Sequence, residues 1–515
     1  MSCSDSCHKR SLRRKIIFAV LVSLAVLSFL PAGAGGNARP ADYGPGAWPV
    51  KGAIYEVSLE YFPHHSLNEL TARIPNLQKL GISVLYLTPI FKCAGNAQYL
   101  ILNYYDINPR YGTAADLKHL VKVAHQHGIE VLLDLVTSLT TDGSYIKTQH
   151  PDWILRGKDG KMQRYYPFPA WGWALDCANR DLIKYFAQVA SYYVKNFHID
   201  GWRIDSPLNN YDPTKVSGDH TRMQLLRAVR TAITQTDPKA LMIAEVPAPE
   251  FMWGKDDQNW KPLFDEMCQA SYNYPFCGFL GGDKKNGYGY IVFKGSPLIT
   301  PMVPTPLNRI VHNQMTSKEF VEAVKNERIL DGRLRANFIE NHDTARVAAA
   351  FPKQERALFV LICTMPGVPV VHAGQEIGST VHPDASGGTR IVVDWAKGDH
   401  NLEQFYAQVL RGRATNNALL DGDIQDVWKS GGRAITFLRS KGKNHVLVAL
   451  NFGQESVHCT IGIPVTKLGW SAKRKYRLKD QITGQETVRQ GKDLENLDLS
   501  IKPYGYQIVK LTPAN

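Results

Sequence analysis

An alternation running from residue 52 to about residue 376 constrains this chain more than any other feature. Short β-type runs alternate with amphipathic helical patterns. "GAIYEVSLEYF" (52–62) precedes the helical "LNELTARIPNLQKLG", then come "ISVLYLTPIF" (82–91), the helical "AADLKHLVKVAHQHG" and "IEVLLDLV" (129–136). "IDGWRIDS" (199–206) follows "LIKYFAQVASYYVKNFH", and "ALMIAEV" (240–246) follows "TRMQLLRAVRTAITQT". A weaker run, "QASYNYPF" (269–276), comes next. "RANFIENHD" (335–343), after "SKEFVEAVKNER", and "VPVVHAGQE" (368–376), after "KQERALFVLICTMPG", complete eight units. Such alternation implies a parallel sheet covered by helices. Eight units over this length favour an α/β fold of the closed (β/α)8 TIM-barrel type over an open doubly wound sheet. No glycine-rich phosphate fingerprint follows the first run, which weakens a dinucleotide-binding reading.

The barrel is expected over residues 51–420. Residues 137–178 lack clear periodicity and carry "TTDGSY", "GKDGK" and the aromatic "YYPFPAWGWALD", so they read as a small insertion after the third strand. From about residue 425 the runs "AITFLRS", "HVLVALNFG", "VHCTIGIPV" and "YGYQIVKLT" alternate without helices, which predicts a C-terminal antiparallel β-sandwich domain over 425–515.

The N-terminus follows other rules. "HKRSLRRK" is basic, "IIFAVLVSLAVLSFL" is apolar, and an Ala-x-Ala lies at Ala32–Ala34. That order reads as a signal peptide over 1–34, followed by a linker over 35–50, and so as export to the periplasm or medium. An uncleaved membrane anchor is the alternative, and Arg13-Arg14 is a weak hint of twin-arginine export. Net charge is +13, of which about +9 remains once the signal is removed, and the basic residues are scattered. A solvated surface explains them, so no nucleic-acid partner is inferred, and no membrane contact beyond the signal segment. The six cysteines beyond the signal have no metal-type spacing. Export permits disulfides, and Cys268 and Cys277 are the pair nearest in sequence. Cys363, within "ALFVLICTMPG", reads as a buried free thiol.

In a (β/α)8 barrel the chemistry sits where strands end. "GWRIDS" ends on Asp205, and period-two alternation puts Arg203 on the same inward face. "MIAEV" ends on Glu245, and "FIENHD" on His342 and Asp343. Each carboxylate alone would read as a solvated loop residue. Three at strand ends of one barrel read better as glycoside hydrolysis equipment, with one carboxylate attacking the anomeric carbon and the other, kept protonated, protonating the leaving oxygen. On this reading Arg203 holds Asp205 ionised, and burial raises the pKa of Glu245.

These segments, in this order, resemble the α-amylase family, glycoside hydrolase family 13. "YGTAADLKHLVKVAHQHGIEVLLDLV" and "PGVPVVHAGQEIG" are similar to its third and eighth β/α regions, and the resemblance spans about residues 50–515. It implies a retaining mechanism on α-glucosidic bonds of an α-glucan or maltooligosaccharide. Asp205 would be the nucleophile and Glu245 the general acid/base. Asp343 would grip the sugar hydroxyls, Arg203 would orient Asp205, and His342 would bond the sugar beside Asp343. Glu340 and Asn341 would support the loop. "QYLILNYYDINPRYGT" resembles the family's Tyr-x-x-x-Asp-Tyr segment, which makes Tyr99 the aromatic that stacks on the sugar, although Asn103 stands where the Asp is usual. Ordinary packing is the alternative for Tyr99.

The chain departs from the family elsewhere. In "DLVTSL" Asp134 is kept, but Ser138 stands for the usual Asn and Leu139 for the usual His. A hydroxyl is a poorer calcium ligand than an amide carbonyl, so neither the usual calcium nor any other cofactor is expected. Leu139 cannot hydrogen-bond a sugar, which leaves Tyr145 and His150 as nearby substitutes. "DSPLNN" replaces a common Lys-His pair, with Asn209 and Asn210 as sugar contacts or loop caps. Tyr165, Tyr166, Trp171 and Trp173 form either a stacking wall or the insertion's own core, and Asp176 reads as a neighbour of a helix cap. Two rival functions remain: a transglycosylase using the same residues, and a non-catalytic carbohydrate-binding homologue.

Overall fold

The computed structural model describes residues 51–165, 169–207, 220–246, 266–278, 305–326, 334–381 and 392–514. Eight strands close into a barrel in chain order: β1 (Ala53–Val57), β2 (Ile82–Leu87), β3 (Glu130–Val136), β4 (Gly201–Asp205), β5 (Leu241–Ala244), β6 (Ala270–Tyr272), β7 (Leu334–Asn337) and β8 (Val368–His372). Every ladder is parallel, and β8 returns to β1. All eight runs read from the sequence are barrel strands.

The covering helices start where their sequences say they should. Ser66 and Glu69 form a capping box before the helix Leu67–Leu80, and Thr113 and Asp116 do the same before Ala114–Gln126. Asn179 caps Arg180–Phe197, which buries Leu182, Phe186, Val189, Tyr193 and Phe197 at three- and four-residue spacing. Each such burial stabilises the fold by about 1.5–3 kcal/mol. Where β4 begins, backbones approach closely. A Cβ on Gly201 would lie 2.1 Å from the Leu241 carbonyl oxygen, so only glycine fits there.

Register places the polar interior. Asp134 of β3 lies beside Arg203 of β4, and Glu56 of β1 lies beside both Tyr86 of β2 and His372 of β8. All five residues are buried.

The insertion is a small unit packed against the barrel's core. Leu139–Thr140 pairs with Trp173–Ala174, and isolated bridges join Ile154 to Leu175 and Arg164 to Trp173. Tyr165 is buried and stacks near Trp171, while the Trp173 ring receives Arg164 and Lys147 and its N–H donates to Asp142. Tyr165 is thus part of the barrel's hydrophobic core, with Trp171 packed against it, while Trp173 is held by charged residues of the insertion. Tyr166 lies outside the described residues.

The C-terminal domain has nine strands: β9 (Asp423–Asp426), β10 (Trp428–Gly431), β11 (Ile435–Lys441), β12 (Asn444–Leu450), β13 (Val457–Ile461), β14 (Lys475–Asp480), β15 (Glu486–Gln490), β16 (Leu497–Ile501) and β17 (Tyr506–Pro513). They form an antiparallel six-stranded sheet, β9-β11-β12-β17-β14-β15, and a three-stranded sheet, β10-β13-β16. Leu438, Leu447, Leu478 and Leu511 meet Cys459, Ile461 and Ile501 between them. The opposite face of the larger sheet, with Phe437, Val446, Val448 and Leu450, joins the barrel's core.

Cys268 and Cys277 are not bonded. All six described cysteines, Cys363 included, are buried and in no disulfide. Proximity in sequence is a poor guide here, because Cys268 precedes β6 and Cys277 ends the short helix beyond it, each packed into the core. No helix among the described residues is long and apolar enough to cross a membrane, and residues 1–50 are not among them.

Candidate active site

At the carboxyl ends of the strands, one guanidinium faces three carboxylates. Arg203 Nη1 donates to both oxygens of Asp134 (3.0 and 2.9 Å) and to Asp205 Oδ1 (3.0 Å), while Nη2 pairs with Glu245 Oε2 (2.9 Å). Asp205 is the last residue of β4, and Glu245 directly follows β5. Adjacent parallel strands therefore bring the two expected catalytic carboxylates to opposite arms of one arginine.

Glu245 has further support. Ser206, directly after Asp205, sits at φ 34°, a strained conformation for a residue with a side chain. From there its N–H (2.9 Å) and hydroxyl (3.0 Å) both donate to Glu245 Oε2. The Tyr274 hydroxyl approaches Oε1 at 3.4 Å and accepts from Asn341 Nδ2 at 2.7 Å.

Burial pushes the Asp205 carboxyl well above the ordinary range; Arg203 opposes this, and Glu245 and Asp134 add to it. Glu245 meanwhile pairs with Arg203 and accepts twice from Ser206. One cation is thus shared among three carboxylates.

The segment after β7 turns back into the site. Glu340 is buried and takes Arg346 Nη1 (2.7 Å) and the Val347 N–H (2.6 Å), which fixes the turn. Asn341 Oδ1 accepts the Asp343 N–H at 3.0 Å. Both residues thus support the loop. His342 Nε2 lies 3.5 Å from Asp343 Oδ2. Burial raises the Asp343 carboxyl to about 6, with His342 opposing and Glu245 assisting.

Tyr99 comes from the excursion after β2. Its hydroxyl donates to Asp134 Oδ2 (2.9 Å) and meets His342 Nε2 (2.8 Å), and its ring lies parallel to that of His342, centroids 5.6 Å apart. Tyr86 adds a second hydroxyl to Asp134 at 2.6 Å. Tyr99, Arg203, Asp205, Glu245, His342 and Asp343 are therefore brought into one hydrogen-bonded cluster.

Other candidates are not brought there. Tyr145 and His150 contact each other and pack on Tyr185 and Trp153, on the insertion's side. Leu139 is buried and pairs with Ala174. Asp176 accepts from the Ala178 N–H, beside the Asn179 cap. Asn209 and Asn210 lie outside the described residues.

Four contributors were not singled out: Glu56, Tyr86, Ser206 and Tyr274. Glu56 was visible as a carboxylate amid an otherwise apolar strand, and Ser206 by its place beside Asp205.

The donors near Ser138 do not fit a calcium ion. Ser138 is fully buried, its carbonyl accepts the Leu175 N–H (3.3 Å), and both Asp134 oxygens are taken by Arg203. Among the described residues no three His, Cys, Asp or Glu side chains converge as a metal site.

The α-amylase catalytic domain matches residues 64–172 and 159–417. A cyclomaltodextrinase from a Bacillus species is 26% identical over 409 residues, 73% of this chain and 64% of its own length. A maltogenic α-amylase from Bacillus acidopullulyticus is 25% identical over 434 residues, 78% of this chain and 65% of its own length. The chain thus spans a little under two thirds of these relatives. Among solved structures, a noncanonic maltogenic α-amylase from Thermotoga neapolitana superposes with a TM-score of 0.68 at 20% identity, covering 90% of this chain and 99% of the other. An acarbose complex of an α-amylase from Geobacillus thermoleovorans gives 0.67 at 18% identity, with the same coverage. The fold is shared with these structures, and by its catalytic-domain match this chain belongs to the α-amylase family.

Proposed function

We propose that the protein is a retaining glycoside hydrolase that cleaves α-glucosidic bonds in α-glucans or maltooligosaccharides. The observation that carries the reading is Arg203 touching Asp205 and Glu245 at once, which sets a nucleophile and an acid/base side by side at the barrel mouth. The relatives' names point to the same substrate class.

In the proposed reaction Glu245 gives its proton to the glycosidic oxygen while Asp205 forms an ester bond to the anomeric carbon. The Glu245 carboxylate then takes a proton from water, whose oxygen attacks the anomeric carbon and releases Asp205. Chemistry needs Asp205 ionised and Glu245 protonated. In the free site burial and the neighbouring carboxylates raise the Asp205 carboxyl, and Arg203 opposes them. Asp343 and His342 grip sugar hydroxyls, and Tyr99 supplies an apolar ring face. The reaction uses no metal or cofactor. Export rests on the order of residues 9–34.

The test incubates the protein with starch, maltooligosaccharides, pullulan, trehalose and sucrose, with Asp205→Asn as control, and follows products by chromatography. Shorter glucans, absent with the variant, are expected. Longer or rearranged products would make it a transglycosylase, and no product from any of them would overturn the reading.

A further inference from the structure

Behind His342 lies a buried charge that the proposed chemistry does not use. Glu56, on β1, is fully buried, and four donors converge on it. Its Oε1 accepts the His342 backbone N–H (2.8 Å), the His342 ring Nδ1 (2.8 Å) and the His372 ring Nδ1 (3.2 Å). The Tyr272 hydroxyl donates to Oε2 at 2.7 Å.

A buried carboxylate with this donor set needs a counter-ion. His372 is not it. Burial and Arg346 drive its imidazole down to about 3, and its Nε2 faces the Tyr61 hydroxyl at 3.0 Å, so it serves as a neutral donor through Nδ1. Nor is Tyr272, whose phenol is pushed up by burial and by Glu56 itself. His342 remains. Burial opposes its charge, but Asp343 and Glu56 outweigh burial and Arg203 and hold the imidazole up to about 10. The groups facing the His342 ring are Glu56, Asp343 and Tyr99, with Asp134 one step away through the Tyr99 hydroxyl. With Nδ1–H committed to Glu56, Nε2–H points to the side of Tyr99 and Asp343.

We propose that Glu56 is a positioning residue of this site: it holds His342 by its backbone N–H and by its ring Nδ1–H and keeps the ring an imidazolium, so that Nε2–H stays a constant donor on the side of Tyr99 and Asp343, where the hydroxyls of a bound sugar would compete with the Tyr99 hydroxyl for it. The sugar-binding half of this inference rests on the proposed function. The charge on His342 does not, and it is measurable without substrate.

The test is an NMR titration of the full-length protein with labelled histidine, the His342 signals being identified by their loss in His342→Gln. The wild-type ring is expected to stay doubly protonated through neutral pH. In Glu56→Gln, which keeps an acceptor but loses the charge, it should titrate at least about two pH units lower. The ratio of variant to wild-type kcat/KM should then fall about twofold or more between about pH 5.5 and pH 8. A merely structural role would lower activity equally at every pH, and that result would overturn the proposal. If Glu56→Gln does not fold, the wild-type titration decides alone, since a His342 ring neutral at pH 7 overturns it. A charged His342 in a protein without glycosidase activity would retain the ion pair and remove the function.

Discussion

Two buried ion-pair systems stand at the same end of this barrel, and they are built differently. After β7, Arg346 meets one carboxylate. Glu340 takes its Nη1, and the other guanidinium nitrogens donate to the carbonyls of Ala373 and Val381, each at 2.9 Å. Inside the barrel, Arg203 meets Asp134, Asp205 and Glu245 together. In the first system charge and donors are matched, and both Glu340 oxygens are held. In the second, three carboxylates compete for one cation, and Asp205 is driven well above the ordinary range. The matched pair fixes a turn. The mismatched cluster sets perturbed carboxylates side by side at the barrel mouth, as acid/base chemistry requires.

The largest test of this contrast is Asp205→Asn. Turnover should fall by about a thousandfold or more while the fold persists. Removing one carboxylate from an overcrowded site should leave the melting temperature equal or higher, so a marked fall in melting temperature would contradict the contrast. Arg346→Ala should do the reverse. It leaves Glu340 buried and unpaired and should cost about 3–5 kcal/mol in denaturant unfolding, while the pH profile of the remaining folded enzyme keeps its shape.

A third test uses the pH dependence of sugar binding. Asp343 is raised to about 6, so its carboxylate is present above that pH and lost below it. KM should rise as pH falls through about 6, and Asp343→Asn should abolish that limb along with most of the activity. The smallest effect is expected at Glu355, away from the cluster. Burial raises this carboxyl to about 8, with Glu340 adding to the effect. Below about pH 4.5 the group is protonated whether folded or not; above it only the folded state keeps the proton, so stability is lost as pH rises towards 8. Glu355→Gln cannot ionise. Its unfolding free energy should match wild type near pH 4 and exceed it by on the order of 2 kcal/mol near pH 8, as read from denaturant curves.

Local pattern made some of this molecule legible in its sequence. The eight strands were readable because barrel strands are apolar runs between amphipathic helices, and Arg203 and Asp205 because two residues apart on a strand means one face. Glu245 followed from its place at a strand end. The crowding around Arg203 was not readable. It depends on Asp134, Asp205 and Glu245 converging on one volume, and on a register that no single segment encodes. Glu56 stood out as a carboxylate in an apolar strand, but its role did not, for the same reason: its partner His342 is 286 residues away. Tyr145 and His150 misled because closeness in sequence to Leu139 says nothing about which side of the insertion they pack on. Ser138 and Leu139 were informative as departures, since hydrogen-bonding chemistry alone shows what they cannot do.

The central claim is that Asp205 attacks the anomeric carbon. An activated fluoro-sugar α-glucoside that forms the ester but hydrolyses slowly tests it directly, with the labelled protein digested and sequenced by mass spectrometry. The account predicts one glycosyl unit on the peptide containing Asp205, absent in Asp205→Asn. Label on another carboxylate, or cleavage of a natural α-glucoside with inversion at the anomeric carbon and no adduct, would contradict it.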